Sequence, residues 1–226
     1  LNCANPGHVV VNDACGYVAA LCRCIADAER LAGLQRRIRA YHPTVRGHKA
    51  AKRLLASKDD EEAAFAGMVR HWCGHNPVWD SGPRGGVEQT NPKERVRDRW
   101  QPEDLCRWLT KLHERLKGRL TVCQEDACAI VSRYDRPGVV MYVDPPYLGI
   151  GHREYRRDMS RGEHERLARA VMATSHARVA VSHFDSPEVR RWYSGATLLG
   201  MGLVKGPPCR KKNRRTNSEV LVLRGW

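Results

Sequence analysis

With 226 residues, 42% hydrophobic and 28% charged, the chain can bury a core without disulfides or metal and is too apolar to be disordered. Its net charge of +14 and pI near 9.7 point to a polyanionic partner, because Lys and Arg displace the counterions condensed on phosphate. No apolar run reaches the ~20 residues of a membrane helix, no signal peptide is evident, and nine irregularly spaced cysteines read as reduced thiols of a cytoplasmic protein.

Val9-Val10-Val11 is a short β-branched run leading to Asn12-Asp13, a buried strand with an acid at its tip. Residues 14–40 carry an apolar stripe (Val18, Leu21, Ile25, Leu31, Leu34, Ile38) and predict one long helix, which Pro43 stops. Two more helices are expected at 46–57 and 59–72, the second opening on Asp59, Asp60, Glu61 and Glu62, acids suited to a helix N-terminus. Glycines, prolines and basic residues make 74–97 a loop or hairpin region, and Gln101-Pro102-Glu103-Asp104 starts a helix that runs to about Lys117. Beyond Arg119, strands (120–123, 139–143, 177–182, 196–204, 220–223) alternate with helices (after Asp126, 163–175, 187–193). That alternation predicts an α/β fold with a mostly parallel sheet.

The strand Val139-Val140-Met141-Tyr142-Val143 delivers Asp144-Pro145-Pro146-Tyr147 at its C-terminal end, the place where open α/β sheets bind ligands. The prolines fix φ and present carbonyls with no competing N–H. An exocyclic amine can be held by such a set: Asp144 accepts one N–H, a proline carbonyl the other, and Tyr147 stacks on the base. A strand-end turn capped by Asp and stiffened by Pro-Pro is the plainer reading of the same four residues.

On these residues the chain resembles the D12 class of adenine-N6 DNA methyltransferases, the Dam-like family. In order, the resemblance covers Val9 to Asp13, Asp126 after a strand, Asp144-Pro145-Pro146-Tyr147, a turn at Ser182-His183-Phe184-Asp185, and a basic loop running into a strand at Glu219-Val220-Leu221-Val222-Leu223. The turn departs from the family's Ser-Asn-His-Asp pattern at its middle positions. The resemblance implies a Rossmann-like methyltransferase sheet, S-adenosylmethionine as cofactor, and transfer of a methyl group to N6 of a flipped adenine in double-stranded DNA. It makes Asp144, Pro145, Pro146 and Tyr147 the catalytic set, and it assigns cofactor contacts to Asp13, Asp126 and Asp144. Asp13 reads equally as a helix cap, and Asp126, with Ala127–Val131 following it, reads more readily as a cap than as a cofactor contact apart from the resemblance. The family's Phe-x-Gly-x-Gly cofactor loop precedes the strand matched to Val9–Asp13. Residues 1–8 do not supply it, which leads to the expectation that the chain is a fragment beginning just after that loop.

The same resemblance divides the chain into a first part of the core (1–40), an inserted, mainly helical recognition lobe (41–100) and the remainder of the core (101–226). In the lobe, Arg84, Lys93 and Arg95 are candidates for phosphates, and Arg70, Asn76 or Arg84 for base edges. Lys211, Lys212, Arg214 and Arg215 form a second basic stretch, kept non-helical by Gly206, Pro207 and Pro208. His71-Trp72-Cys73-Gly74-His75 and Cys22-Arg23-Cys24 lack standard zinc spacing, so no metal is expected. A monomer is expected. Two other functions stay open: a DNA-binding remnant without catalysis, and methylation of cytosine N4 or an RNA base, which needs the same amine geometry.

Overall fold

A computed structural model describes residues 7–75, 81–83, 100–148, 158–204 and 217–226, and the chain divides after Glu125 into two compact units. In the first unit, β1 (Val9–Asn12) pairs in parallel with β2 (Leu120–Cys123), Val9 opposite Leu120. The Asn12 side chain bridges the ends of these strands, donating to the Glu125 carbonyl at 3.1 Å and accepting from the Glu125 N–H at 2.9 Å. Among its described residues are five helices: α1 (Gly16–Ala26), α2 (Ala28–Ala40), α3 (Val45–Leu54), α4 (Asp60–Trp72) and α5 (Pro102–Leu116). Their apolar faces meet in a core that includes the fully buried Leu34, Ile38, Met68, Val69 and Leu109.

The single helix expected over 14–40 is two. Asp27 leaves helical dihedrals (φ −120°, ψ 125°) and caps α2, its carboxylate accepting from the Arg30 N–H at 2.9 Å. The apolar stripe runs on across the break, so periodicity alone did not reveal it. α4 begins as its acids predict: Asp59 accepts from the Glu62 N–H, and Asp60 holds the Arg23 guanidinium at 2.7 Å and that of Arg30. Where α4 crosses α1, Gly67 packs on the Tyr17 ring so closely that a Cβ would lie 2.4 Å from its Cδ2. Gly67→Ala must therefore displace a buried aromatic, and it is expected to cost about 1–3 kcal/mol of stability despite alanine's better helix propensity. A denaturation midpoint equal to the wild type's would show that the contact is not tight.

The second unit contains a four-stranded sheet in the order β3-β4-β6-β5, built from β3 (Val140–Val143), β4 (Arg178–Phe184), β5 (Thr197–Val204) and β6 (Asn217–Arg224). α6 (Ala127–Arg133), α7 (Arg161–Met172) and α8 (Pro187–Trp192) accompany it, around a core that includes Leu167, Val171, Val179, Val181, Val189 and Val222. Both sequence and structure are α/β, but the expectation of a mostly parallel sheet needs correction. β3 pairs with β4 in parallel, whereas β6 is antiparallel to both β4 and β5. Parallel neighbours need a crossover, usually helical, and the Gly206-Pro207-Pro208 stretch between β5 and β6 is a poor helix former.

β4 is anchored at its start from a distance. The Asp135 carboxylate accepts backbone N–H groups of Ser175, His176 and Ala177 at 2.8–3.0 Å, and these bonds hold its pKa down to about 2. The Arg178 N–H then donates to the Val139 carbonyl at 3.0 Å, which sets β4 against β3.

Candidate active site

In the parallel pair β3–β4, Val143 lies opposite Val181. One residue further along each strand are Asp144 and Ser182, and the two side chains meet there. The Ser182 hydroxyl donates to Asp144 Oδ1 at 2.6 Å, a charge-assisted length, and its oxygen is 3.4 Å from the Val143 carbonyl. Asp144 thus has one carboxylate oxygen fixed by a side chain that is itself buried at 8% exposure.

Pro145 and Pro146 follow Asp144, with no cis peptide bond among the described residues, and Tyr147 turns into an aromatic setting. Its ring stacks on His183, with centroids 5.5 Å apart and planes 16° from parallel, and it meets Phe184 edge-to-face at 4.6 Å. Burial pushes the Tyr147 phenol up to about 12, so it stays protonated at neutral pH. Behind His183, on α7, lies His164: His183 Nε2 and His164 Nδ1 are 3.4 Å apart, and the His164 ring stacks on Trp192 of α8. Both histidine rings are buried, and desolvation lowers the pKa of each, that of His183 to about 4.

Against known protein families and curated proteins, the sequence finds no matching family model and no similar protein.

The remaining expected site residues are distributed as follows. Asp13, just past β1 in the first unit, accepts the Cys15 N–H at 2.7 Å through Oδ1, and burial raises its pKa despite that bond. Asp126 caps α6 in the second unit, accepting from the Cys128 and Ala129 N–H groups through Oδ1 and from Arg166 at 2.6 Å through Oδ2. The Arg166 bond, chiefly, holds its pKa down. Arg70 does not offer its guanidinium to a base: it is 4% exposed and bonds His48 Nδ1 at 3.0 Å and the Ser81 carbonyl at 2.8 Å. His71 bonds the Tyr17 hydroxyl at 3.0 Å and Cys73 is buried in the first unit's core. Asn76, Arg84, Lys93, Arg95, Lys211, Lys212, Arg214 and Arg215 lie outside the described residues. Among the described residues no helix is long and apolar enough to cross a membrane.

As partners for a nucleoside cofactor the two outer acids differ. One Asp13 oxygen is committed to a single backbone N–H, so the carboxylate suits a pair of ribose hydroxyls. Both Asp126 oxygens are already engaged, and it offers less. Sequence reasoning missed Ser182, His183, Phe184 and His164 as parts of the Asp144–Tyr147 site. The signal was present in the turn Ser182-His183-Phe184-Asp185, because adjacent parallel strands end side by side.

Proposed function

We propose that the chain carries the catalytic part of an S-adenosylmethionine-dependent methyltransferase acting on the N6 amine of adenine in double-stranded DNA. The observation that carries this reading is the Asp-Pro-Pro-Tyr turn at the end of a parallel strand, its acid fixed by Ser182 and its tyrosine framed by aromatic rings. An amine nucleophile whose lone pair must point at a methyl group needs its two N–H bonds held in fixed directions. A clamped carboxylate and a proline carbonyl do this without relaxing during the reaction.

In this reading Asp144 accepts one N6–H, the Pro145 carbonyl accepts the other, and Tyr147 stacks on the purine. S-adenosylmethionine, when bound, would supply an activated methyl group on a sulfonium. At 9% exposure the Tyr147 ring has little free surface, so seating a flipped base on it requires the structure to open locally. The net charge of +14 supports DNA as the substrate, because phosphate contacts dominate its binding.

The test is nucleoside mass spectrometry of genomic DNA from methylation-free cells expressing the chain beside an Asp144→Ala control. N6-methyladenine in the first sample only supports the reading, and none in either removes the activity from this chain. A separate expectation concerns the basic segment before β6. Replacing Lys211, Lys212 and Arg214 with Ala should weaken DNA binding for all sequences and make the log–log salt slope shallower by about 3. An unchanged slope would place these residues away from DNA.

A further inference from the structure

Tyr147 is held by a column of four rings that starts at the candidate site and ends on α8. Tyr147 lies nearly parallel to His183, His183 meets His164 at 60° with centroids 5.1 Å apart, and His164 lies 7° from parallel with Trp192 at 6.0 Å. The column is tied at its far end by the Trp192 indole N–H, which donates to Glu165 at 3.1 Å, and in its middle by the contact between the two imidazoles. Each ring belongs to a different part of the fold: Tyr147 follows β3, His183 is on β4, His164 on α7 and Trp192 on α8.

Two imidazoles are an expensive way to fill this space. His183 and His164 are 1% and 2% exposed, and His183 Nδ1 and His164 Nε2 form no well-made hydrogen bond among the described residues. A buried polar atom left without a partner costs stability that a leucine or phenylalanine of similar volume would not. The geometry offers a reason for them. A flat ring at position 183 can lie nearly parallel to Tyr147, offset from it with centroids 5.5 Å apart, and the contact between His183 Nε2 and His164 Nδ1 restrains that flat ring about its own χ2. A branched aliphatic side chain would present an uneven surface beside Tyr147 and leave the ring held chiefly by its edge-to-face contact with Phe184.

We infer that His183, locked in place by His164, is a positioning residue that fixes the plane of the Tyr147 ring and so the plane in which a base is received. The inference rests on the function proposed above for its last step, the reception of a base, and on the ring geometry for the rest. Neither histidine touches a reacting atom, and both are held neutral by burial, so no proton transfer is assigned to them.

The test combines a ring-level measurement with kinetics on the full chain. The Tyr147 ring resonance, identified by its loss in Tyr147→Phe, is recorded by NMR in wild type, His183→Leu, His183→Phe and His164→Leu. Ring currents from His183 and Phe184 should displace it in the wild type. His183→Leu, which removes both the flat ring and the lock, should move it back furthest, and His164→Leu and His183→Phe, which each keep a flat ring but lose the contact between the imidazoles, should move it back part of the way and by similar amounts. In parallel, kcat for DNA methylation should fall about 10- to 100-fold in His183→Leu with KM for DNA changed less than about twofold, and should fall less, and equally, in His164→Leu and His183→Phe. A Tyr147 resonance that ignores position 183, or kinetics that ignore a resonance that does move, would overturn the positioning role. A wild-type chain that methylates no adenine would overturn the proposed function instead, and the resonance, which needs no substrate, would still decide whether His183 seats the ring.

Discussion

Replacing Asp144 with Ala should lower kcat for methyl transfer by about 10²–10³-fold or more while leaving DNA affinity within about threefold of wild type. The two effects separate because they belong to different parts of the molecule. In the proposed function, affinity for DNA would be set largely by Lys and Arg neutralising phosphates, which a single acid at the end of β3 would not influence. The rate would depend on one acceptor held in place before the reaction begins. Ser182 donates to Asp144 at 2.6 Å, so the carboxylate loses no freedom when an amine arrives. Asp144→Asn keeps one carbonyl acceptor but presents an amide donor as well, and it should retain a measurable residue of activity. Ser182→Ala leaves the carboxylate and removes its clamp, with an expected loss of about tenfold in kcat. Loss of binding and activity in proportion after Asp144→Ala would mean that this residue serves the fold or the DNA interface rather than the amine.

A second large effect should appear with pH alone. His48 in the first unit and His183 in the second are both buried, and desolvation lowers each pKa from 6.5 to about 4. For His48 the neighbouring Arg70 charge pushes the same way. Between pH 6.5 and 4 the unfolded chain binds protons at these positions and the folded chain does not, so stability falls as pH falls through that window. At about 1.4 kcal/mol per pH unit, each histidine removes on the order of 3 kcal/mol from its own unit by pH 4, a large share of the stability of an ordinary domain. His164, also lowered, adds in the same direction. The Asp13 carboxyl, raised by burial, opposes the trend, since its folded form holds a proton more readily than its unfolded form. Carboxylates held low, such as Asp126, Asp135 and Asp185, begin to matter only near and below their ordinary range around 3.8 and do not confuse the window. Urea denaturation at fixed steps from pH 7.5 to 4.5 reads this directly. A stability flat across that range would mean that these imidazoles take protons freely in the folded state.

Much of the second unit was legible because its signals are local. A β-branched run, a capping acid or a Pro-Pro pair marks its own position, and β3, α6 and α8 stand close to where their residues imply. Asp126 shows the limit of such marks: strand-tip acid and helix cap look alike in sequence, and in the structure its carboxylate is bound to two backbone N–H groups and Arg166. What was not legible depends on partners distant in the chain. Arg70 looked available for a base, but its place on the inward face of α4 commits it to His48 and Ser81. The break at Asp27 is a local event hidden by an apolar stripe that resumes in phase. The antiparallel return of β6 between β4 and β5 is a choice of pairing that alternation of strands and helices does not specify. Ser182 and His183 matter because β4 lies beside β3, and no pattern within 178–184 says which strand that will be.

The three backbone bonds gathered by Asp135 have a consequence that reaches the far end of the strands. β3 and β4 work as two rulers read against each other, and only one setting brings the hydroxyl of residue 182 beside the carboxylate of residue 144. Slide one ruler by a single mark and every side chain on it changes face, so that a valine or a histidine would stand where the serine does. The zero of that scale is set at the opposite edge of the sheet, in a solvent-exposed turn where one acid pins residues 175–177 in place. The pairing of Ser182 with Asp144 at one end of the strands is thus calibrated at the other, and a change in the length of that turn would alter the candidate site without touching any residue in it.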